Sequence, residues 1–475
     1  MGKQIHWKSK QAVAAKDHVP VPQKVCYGLG GLTDFFFVNI VQALAIPIFA
    51  IAMKMDPFLL GVALASTKII SALFDPFVGI LSDKTRTRWG RRKPFIIGSA
   101  VVGAIMLPLV WVVPETSPML KFVYISAMLS FFFLIHSFYS SPYGALGFEL
   151  TGNYDERTRI FVWKNYIGMI GVFSAAWFYW FTLRPVFGSE IIGVRWLSGL
   201  GGVVMVICAV LVSKGTHEIV ETRVVDPADR IPVFQALRTT FSNRTFLLVQ
   251  GSILVVALGT GVDGTIGMYL HVHYTCAGNK ELASFIGGSG GTLATLSTFL
   301  AMPLGLWIST HLGKREAALT GMFIMLLGAL SIPWMLTPAL PWLVVGVWIL
   351  STVGSQCSGL MYGSMVADIC DEDELETGQR REGSYAAAGS FLNKMVQVVV
   401  LLLAGLMPRL AGYTDFSLAP TMEQLERMKM LLVVTDVVGI GLAFFFLWFY
   451  PLTRERCTET RRILDTRKTA NKDVT

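Results

Sequence analysis

The stretch Asp75-Pro-Phe-Val-Gly-Ile-Leu-Ser-Asp-Lys-Thr-Arg-Thr-Arg-Trp-Gly-Arg-Arg-Lys-Pro94 changes character halfway along. Its first part is apolar apart from Asp75 and closes a run that begins near residue 58. Its second part carries Lys84, Arg86, Arg88, Arg91, Arg92 and Lys93. A helix of about 20 apolar residues crosses the hydrocarbon of a bilayer. Lysine and arginine collect in the cytoplasmic loops of membrane proteins. The stretch therefore reads as the end of a spanning helix and the basic cytoplasmic loop after it.

The rest of the chain repeats this pattern. Of 475 residues, 53% are apolar or aromatic and only 15% are charged, against roughly 25% charged in soluble domains. Spans are expected at 27–53, 58–82, 94–113, 119–148, 159–183, 195–213, 245–273, 282–310, 316–336, 341–369, 383–410 and 427–451. The result is an all-α polytopic membrane protein of twelve helices, too long and continuous for barrel strands. The linker 214–244 (Lys214, Arg223, Arg230, Arg238, Arg244) and the tail 452–475 are basic, whereas loops 53–57 and 274–281 are not. Both termini are then expected in the cytoplasm of a cell-membrane protein, with a tail 1–26, halves 27–213 and 245–451, and the linker between them. Residues 1–24 show no removable signal peptide. The net charge of +8 is assigned to these loops, so nucleic acid is not expected as a partner. The six cysteines contain no C-x-x-C pair, so neither disulfides nor zinc is expected.

The halves echo each other. Gly79-Ile-Leu-Ser-Asp83 precedes Trp89-Gly-Arg-Arg, and Gly305-Leu-Trp-Ile-Ser precedes Leu312-Gly-Lys-Arg, at offsets of 305 − 79 = 226 and 313 − 90 = 223. A fainter pair is Asp34 and Asp263, at 263 − 34 = 229. Duplicated six-helix units are the architecture of many secondary transporters, which hold substrate between the repeats.

Gly79-x-x-x-Asp83 with Trp89-Gly-Arg-Arg-Lys93 resembles the loop signature of the major facilitator superfamily. The full stretch from Asp75 to Pro94 resembles the glycoside–pentoside–hexuronide:cation symporter family, to which melibiose permease belongs. Tyr27-Gly-Leu-Gly30, Ser141-Pro-Tyr-Gly-Ala-Leu146 and Ala367-Asp-Ile-Cys-Asp-Glu-Asp-Glu-Leu-Glu-Thr-Gly-Gln-Arg-Arg-Glu-Gly383, placed in a loop between helices ten and eleven, resemble it too. The resemblance implies alternating access and import of a sugar, glycoside or uronide with H⁺ or Na⁺. It implies cation coupling at Asp75, with Lys68 and Lys394 at basic positions of the family, and sugar binding near Asp34. The sequence departs from the family at Ser71 and Ser140, where relatives carry acids, at Gly144, where they carry an aromatic, and at Lys164, where arginine is common.

Ionisable groups inside spans are costly and mark pathways. Lys68, Ser71 and Asp75 share one helix face, and a Lys68–Asp75 pair is expected. With one carboxylate left on that face, the expected coupling ion is H⁺ rather than Na⁺. Substrate contacts are expected from Asp34, Ser140, Tyr143, Lys164, Asn165, Tyr166, Asp263 and Lys394. Asp436 reads as structural or lipid-edge, and His271 and His273 as solvated interface. Gating is expected from Gly79, Asp83, Arg88, Gly90, Arg91, Arg92, Arg157, Arg159, Asp368, Asp371 and Arg381, with the acids 371–374 pairing across the halves to the bases 84–93, Arg157 and Arg159. No Gly-x-x-x-x-Gly-Lys motif or catalytic triad is present, so neither an ATP-driven pump nor an enzyme is expected. No cofactor or metal is expected; the partners are a small sugar-like molecule and lipid, and the protein is expected to be a monomer. A lysolipid carrier and a non-transporting membrane sensor are the competing readings.

Overall fold

The computed structural model describes residues 18–151, 153–216, 240–378 and 381–472. The linker bases Arg223, Arg230 and Arg238 lie outside them, as do Gln379 and Arg380 of the quoted motif. Helices α1 (Val21–Leu44), α2 (Pro57–Lys84), α3 (Lys93–Leu109), α4 (Pro118–Glu149), α5 (Tyr154–Ala176) and α6 (Glu190–Gly215) build the first half. The second half opens with α7, broken into Arg244–Thr260, Asp263–Tyr269 and the π-helical Leu270–Thr275. It continues through α8 (Lys280–His311), α9 (Lys314–Met335), α10 (Val344–Thr377), α11 (Glu382–Leu410) and α12 (Met422–Trp448). Ten of these segments are long and apolar enough to cross a membrane; α3 is apolar but shorter. The fifth, α5, carries more charge because it begins at Tyr154 and takes in Asp155, Glu156, Arg157 and Arg159.

Helix starts follow from local chemistry. Asp56, Asn243 and Asn279 accept backbone N–H bonds from Phe58, Phe246 and Leu282, and Thr421 forms a capping box with Gln424. Each satisfies donors that the first turn leaves unpaired. Two boundaries differ from expectation. Helix α10 runs to Thr377, so the acids 371–374 belong to its last turns rather than to a loop. The tail forms a helix, α13 (Arg454–Lys472). It is held to those acids by Arg456–Glu372 at 2.6 Å and Arg461–Asp371 at 3.2 Å.

The duplication is visible in the backbone. Gly90 (φ 109°) and Gly313 (φ 124°) each take a positive φ at the turn before α3 and α9, a conformation that only glycine adopts at no cost. The first helix of each half ends in a π-helical stretch, Ala45–Ala52 and Leu270–Thr275. Each stretch is followed by a left-handed non-glycine residue, Lys54 (φ 55°) and Ala277 (φ 48°).

Packing inside the first half rests on close helix approach. A side chain at Gly30 would strike the Tyr143 ring and one at Gly147 the Tyr27 ring. Small residues at such crossings let backbones meet where no hydrophobic drive distinguishes lipid from protein. Between the halves, α2 packs on α11 and α5 on α8. Gly61 meets the Leu401 carbonyl and Gly405 the Pro57 carbonyl.

Candidate functional site

Asp75 sits in α2 nine residues before its end at Lys84, about 14 Å from the basic side at 1.5 Å per residue. Its Oδ2 accepts from Lys394 Nζ of α11 at 2.9 Å. This corrects the expected pairing with Lys68. Seven residues of helix put Lys68 about 10 Å up the axis from Asp75, while α11 runs directly alongside. Lys68 instead lies 6.0 Å from the Phe133 ring centre. It lines a cavity of about 440 Å³ between the halves with Gln42, Thr67, Gln397 and Gly264. Asp75 Oδ1 is buried without a partner. Ser71 lies one turn above Asp75, half-buried. The hydroxyl of Ser141 donates to the Asp75 carbonyl at 3.4 Å.

A second cluster lies within the first half. Asp34 of α1 bonds to His136 Nε2 of α4 at 2.9 Å. The Lys164 ammonium acts on the same carboxylate and stands 5.1 Å from the Tyr143 ring centre. Tyr143 is 1% exposed, stacks on Tyr27 and Tyr139, and donates its hydroxyl to the Tyr27 carbonyl at 2.8 Å. Its ring is thus committed to packing, with Lys164 beside it. Tyr166 is 63% exposed and lies about 200° around α5 from Lys164, so the structure does not bring these two together. Asn165 is exposed and Ser140 half-buried. Sequence reasoning missed His136, although a histidine in the run Phe131-Phe-Phe-Leu-Ile-His-Ser-Phe is an ionisable group in a span.

Asp263 does not join Asp34. It follows the break in α7 and approaches Asp436 of α12, which is 5% exposed. Asp436 is thus no lipid-edge residue. His271 is also buried, at 6% exposed, with Nε2 donating to the Ala283 carbonyl at 2.8 Å. The π-helical turn swings its ring inward against Trp348, which overturns the solvated reading.

Among the described residues, no ion pair joins the acids 371–374 to the bases 84–93, Arg157 or Arg159. Arg92 bonds Asp83 at 3.1 Å and Glu149 at 2.9 Å, and Arg91 bonds Glu149. Arg159 bonds Glu156 at 3.1 Å, and Glu156 also bonds Lys24. Arg157 stacks on Phe148 and Arg88 on Trp89. In the second half Asp368 bonds Lys314 at 2.5 Å, Asp371 bonds Arg461, and Arg381 bonds Asp373 at 2.5 Å. Each pair stays in its own half. Gly79 allows α4 to approach closely at Ser141.

Between described residues, the polar contacts that join the halves lie at the other side of the molecule, apart from Asp75–Lys394. They are Lys280–Glu190 at 2.7 Å, Arg184–Glu281 at 3.4 Å, Arg409–Asp56, Lys54 to the Ser417 carbonyl at 2.6 Å, and Trp177 to Thr292 at 3.0 Å. Among the described residues, no polar contact joins the halves at the basic side.

The sequence profile of the MFS_2 family, described as MFS/sugar transport protein, matches residues 26–454. The chain belongs to this family. It is a cation-coupled symporter of the melibiose permease type within the major facilitator superfamily, and a transporter rather than an enzyme. It is 25% identical over 449 residues to the isoprimeverose transporter of Lactiplantibacillus pentosus, covering 93% of this chain and 91% of the relative. It is 22% identical over 498 residues to the sodium-dependent lysophosphatidylcholine symporter 1 of Gallus gallus, covering 96% and 92%. Its fold matches the crystal structure of a bacterial homolog of the human lysosomal transporter Spinster in an inward-facing, unoccupied conformation. That match has a TM-score of 0.66 at 15% identity and covers 91% of this chain and 98% of that one.

Proposed function

We propose that this symporter imports a sugar, glycoside or uronide together with H⁺, and that the structure is the state open to the cytoplasm. The observation that carries the reading is the Asp75–Lys394 ion pair, which bridges the two halves near the middle of the molecule. A carboxylate that alternates between a lysine and a proton couples the position of the halves to protonation. When Asp75 takes a proton, Lys394 is released, and the halves can rock without separating two opposite charges in hydrocarbon.

Asp34, His136 and Lys164 then form the substrate site of the first half. A carboxylate accepts strongly from sugar hydroxyls, and the ammonium of Lys164 suits the carboxylate of a uronate. The basic side is taken as cytoplasmic from the lysine and arginine bias.

A lysolipid is the second reading, favoured by the Gallus gallus relative. Counterflow into proteoliposomes with radiolabelled glycosides, pentosides, uronates and lysophosphatidylcholine separates the two. The expected result is exchange of a sugar that Asp34→Ala abolishes. Exchange of lysolipid alone would replace this reading with the second.

A further inference from the structure

The second half contains a cavity of about 410 Å³ whose wall includes Asp263, Asp436, His271, Trp348, Ser351 and Thr352. It adjoins the inter-half cavity at Gly264, which lines both. Asp263 lies just past the point where α7 breaks, between Thr260 and Asp263. Asp263 and Asp436 line the same wall of this cavity, and each is the charged neighbour that acts on the other. Asp436 is 5% exposed, and neither Oδ1 has a hydrogen-bond partner. His271 supplies a separate observation. Its Nε2 donates to the Ala283 carbonyl, so Nδ1 is the acceptor nitrogen; Nδ1 is buried with no hydrogen-bond partner, and the residue lines the same cavity.

Asp436 is buried and Asp263 half-buried; two neighbouring carboxylates without a cation repel each other, and a proton taken up by either removes the repulsion. The other ionisable groups on the surrounding elements are otherwise engaged. Lys394 is held by Asp75. Lys429 bonds Glu426 at 3.2 Å and the Tyr274 hydroxyl at 2.9 Å. Arg409 is held by Asp56 and Tyr413 donates to the Leu418 carbonyl; the Tyr269 ring stacks on His273, and its buried hydroxyl has no partner. Among the described residues no lysine or arginine forms an ion pair with either acid.

We propose that Asp263 and Asp436 form a proton-binding site in the second half, separate from Asp75, with His271, about 12 Å further along α7, passing the proton to and from it by way of water in the shared cavity. The proposal rests on the reading of the chain as an H⁺-coupled carrier. It makes that coupling a two-site process, one carboxyl at the interface of the halves and one pair in the wall of the second half.

The test is infrared spectroscopy of the full chain reconstituted in lipid, following the carbonyl stretch of protonated carboxyls as pH is varied. The wild type is expected to keep a deuterium-sensitive band at neutral pH. Asp263→Asn/Asp436→Asn, isosteric at both positions, is expected to lose it, and Asp75→Asn to retain it. An unchanged band in the double variant would overturn the proposal. So would loss of the wild-type band on adding sodium at fixed pH, which would make the site a sodium site. His271→Gln is expected to slow the exchange of the band in D₂O at least tenfold; unchanged exchange would remove His271 as the relay. These readouts use no transported solute, so they fail independently of the sugar–H⁺ reading, which uptake measurements decide.

Discussion

Asp75 and Lys394 stabilise each other across the interface of the halves, and each is about a third exposed at the side chain, 29% and 38%. Removing one partner leaves the other charge in a poorly solvated place. A fully buried pair broken in this way costs about 3–5 kcal/mol, and partial exposure reduces that to about 1–2 kcal/mol here. Asp75→Ala and Lys394→Ala should therefore each lower thermal stability in detergent. Asp75→Asn/Lys394→Gln should recover most of the loss while remaining unable to accumulate solute. Additive losses in the double variant would show that the two side chains do not act on each other. At the first-half cluster, Asp34→Ala should raise the dissociation constant of the solute at least tenfold with the fold retained. Lys164→Ala should weaken uronate binding more than that of neutral glycosides. Equal effects on both classes, measured by equilibrium binding, would remove Lys164 from anion recognition. Asp34 and Asp75 were legible because a carboxylate in a span is rare and costly. Their partners were not. Lys394 lies 319 residues from Asp75 and His136 lies 102 from Asp34, and no local pattern ties such positions together. The Lys68–Asp75 pairing failed because a shared helix face gives direction but not reach.

At the scale of elements, the ion pairs that join the halves hold the closed side shut. Lys280–Glu190 is the best shielded of them, 34% and 17% exposed at the side chains. A pair of this exposure contributes about 0.5–1 kcal/mol, and 1 kcal/mol is about a fivefold change in a two-state ratio. Glu190→Lys should therefore raise the population open at that side several-fold, and Glu190→Lys/Lys280→Glu should restore it. Distance measurements between spin labels on the loops at 116 and 338 read this directly. An unchanged distance distribution in the single variant would show that the pair carries no gating energy. The spans themselves were readable to within a few residues at most ends, because apolar length and caps decide them. The amphipathic α13 was not, since its fixed position comes from Glu372 and Asp371 on α10 rather than from a core of its own. The ion pairs expected across the halves at the basic side are not made in this state: charge sign was legible, but the conformational state, which decides which charges meet, was not.

For the whole molecule, duplicated halves whose polar contacts gather at one side, with the Asp75–Lys394 pair between them, fit one state of a rocking pair. The repeat was legible at Gly90 and Gly313, where the turn demands a positive φ. The paired π-helical ends at Ala45–Ala52 and Leu270–Thr275 had no sequence signal. The central claim is that protonation, read at Asp75, couples the halves to the solute. The most direct measurement is solute accumulation into proteoliposomes in sodium-free buffer under an imposed pH gradient, for the wild type and Asp75→Asn. The expected result is accumulation by the wild type that collapses with a protonophore, and an Asp75→Asn variant that still exchanges solute but no longer accumulates it. Accumulation that requires sodium at fixed pH, without proton movement on solute addition, would contradict the account.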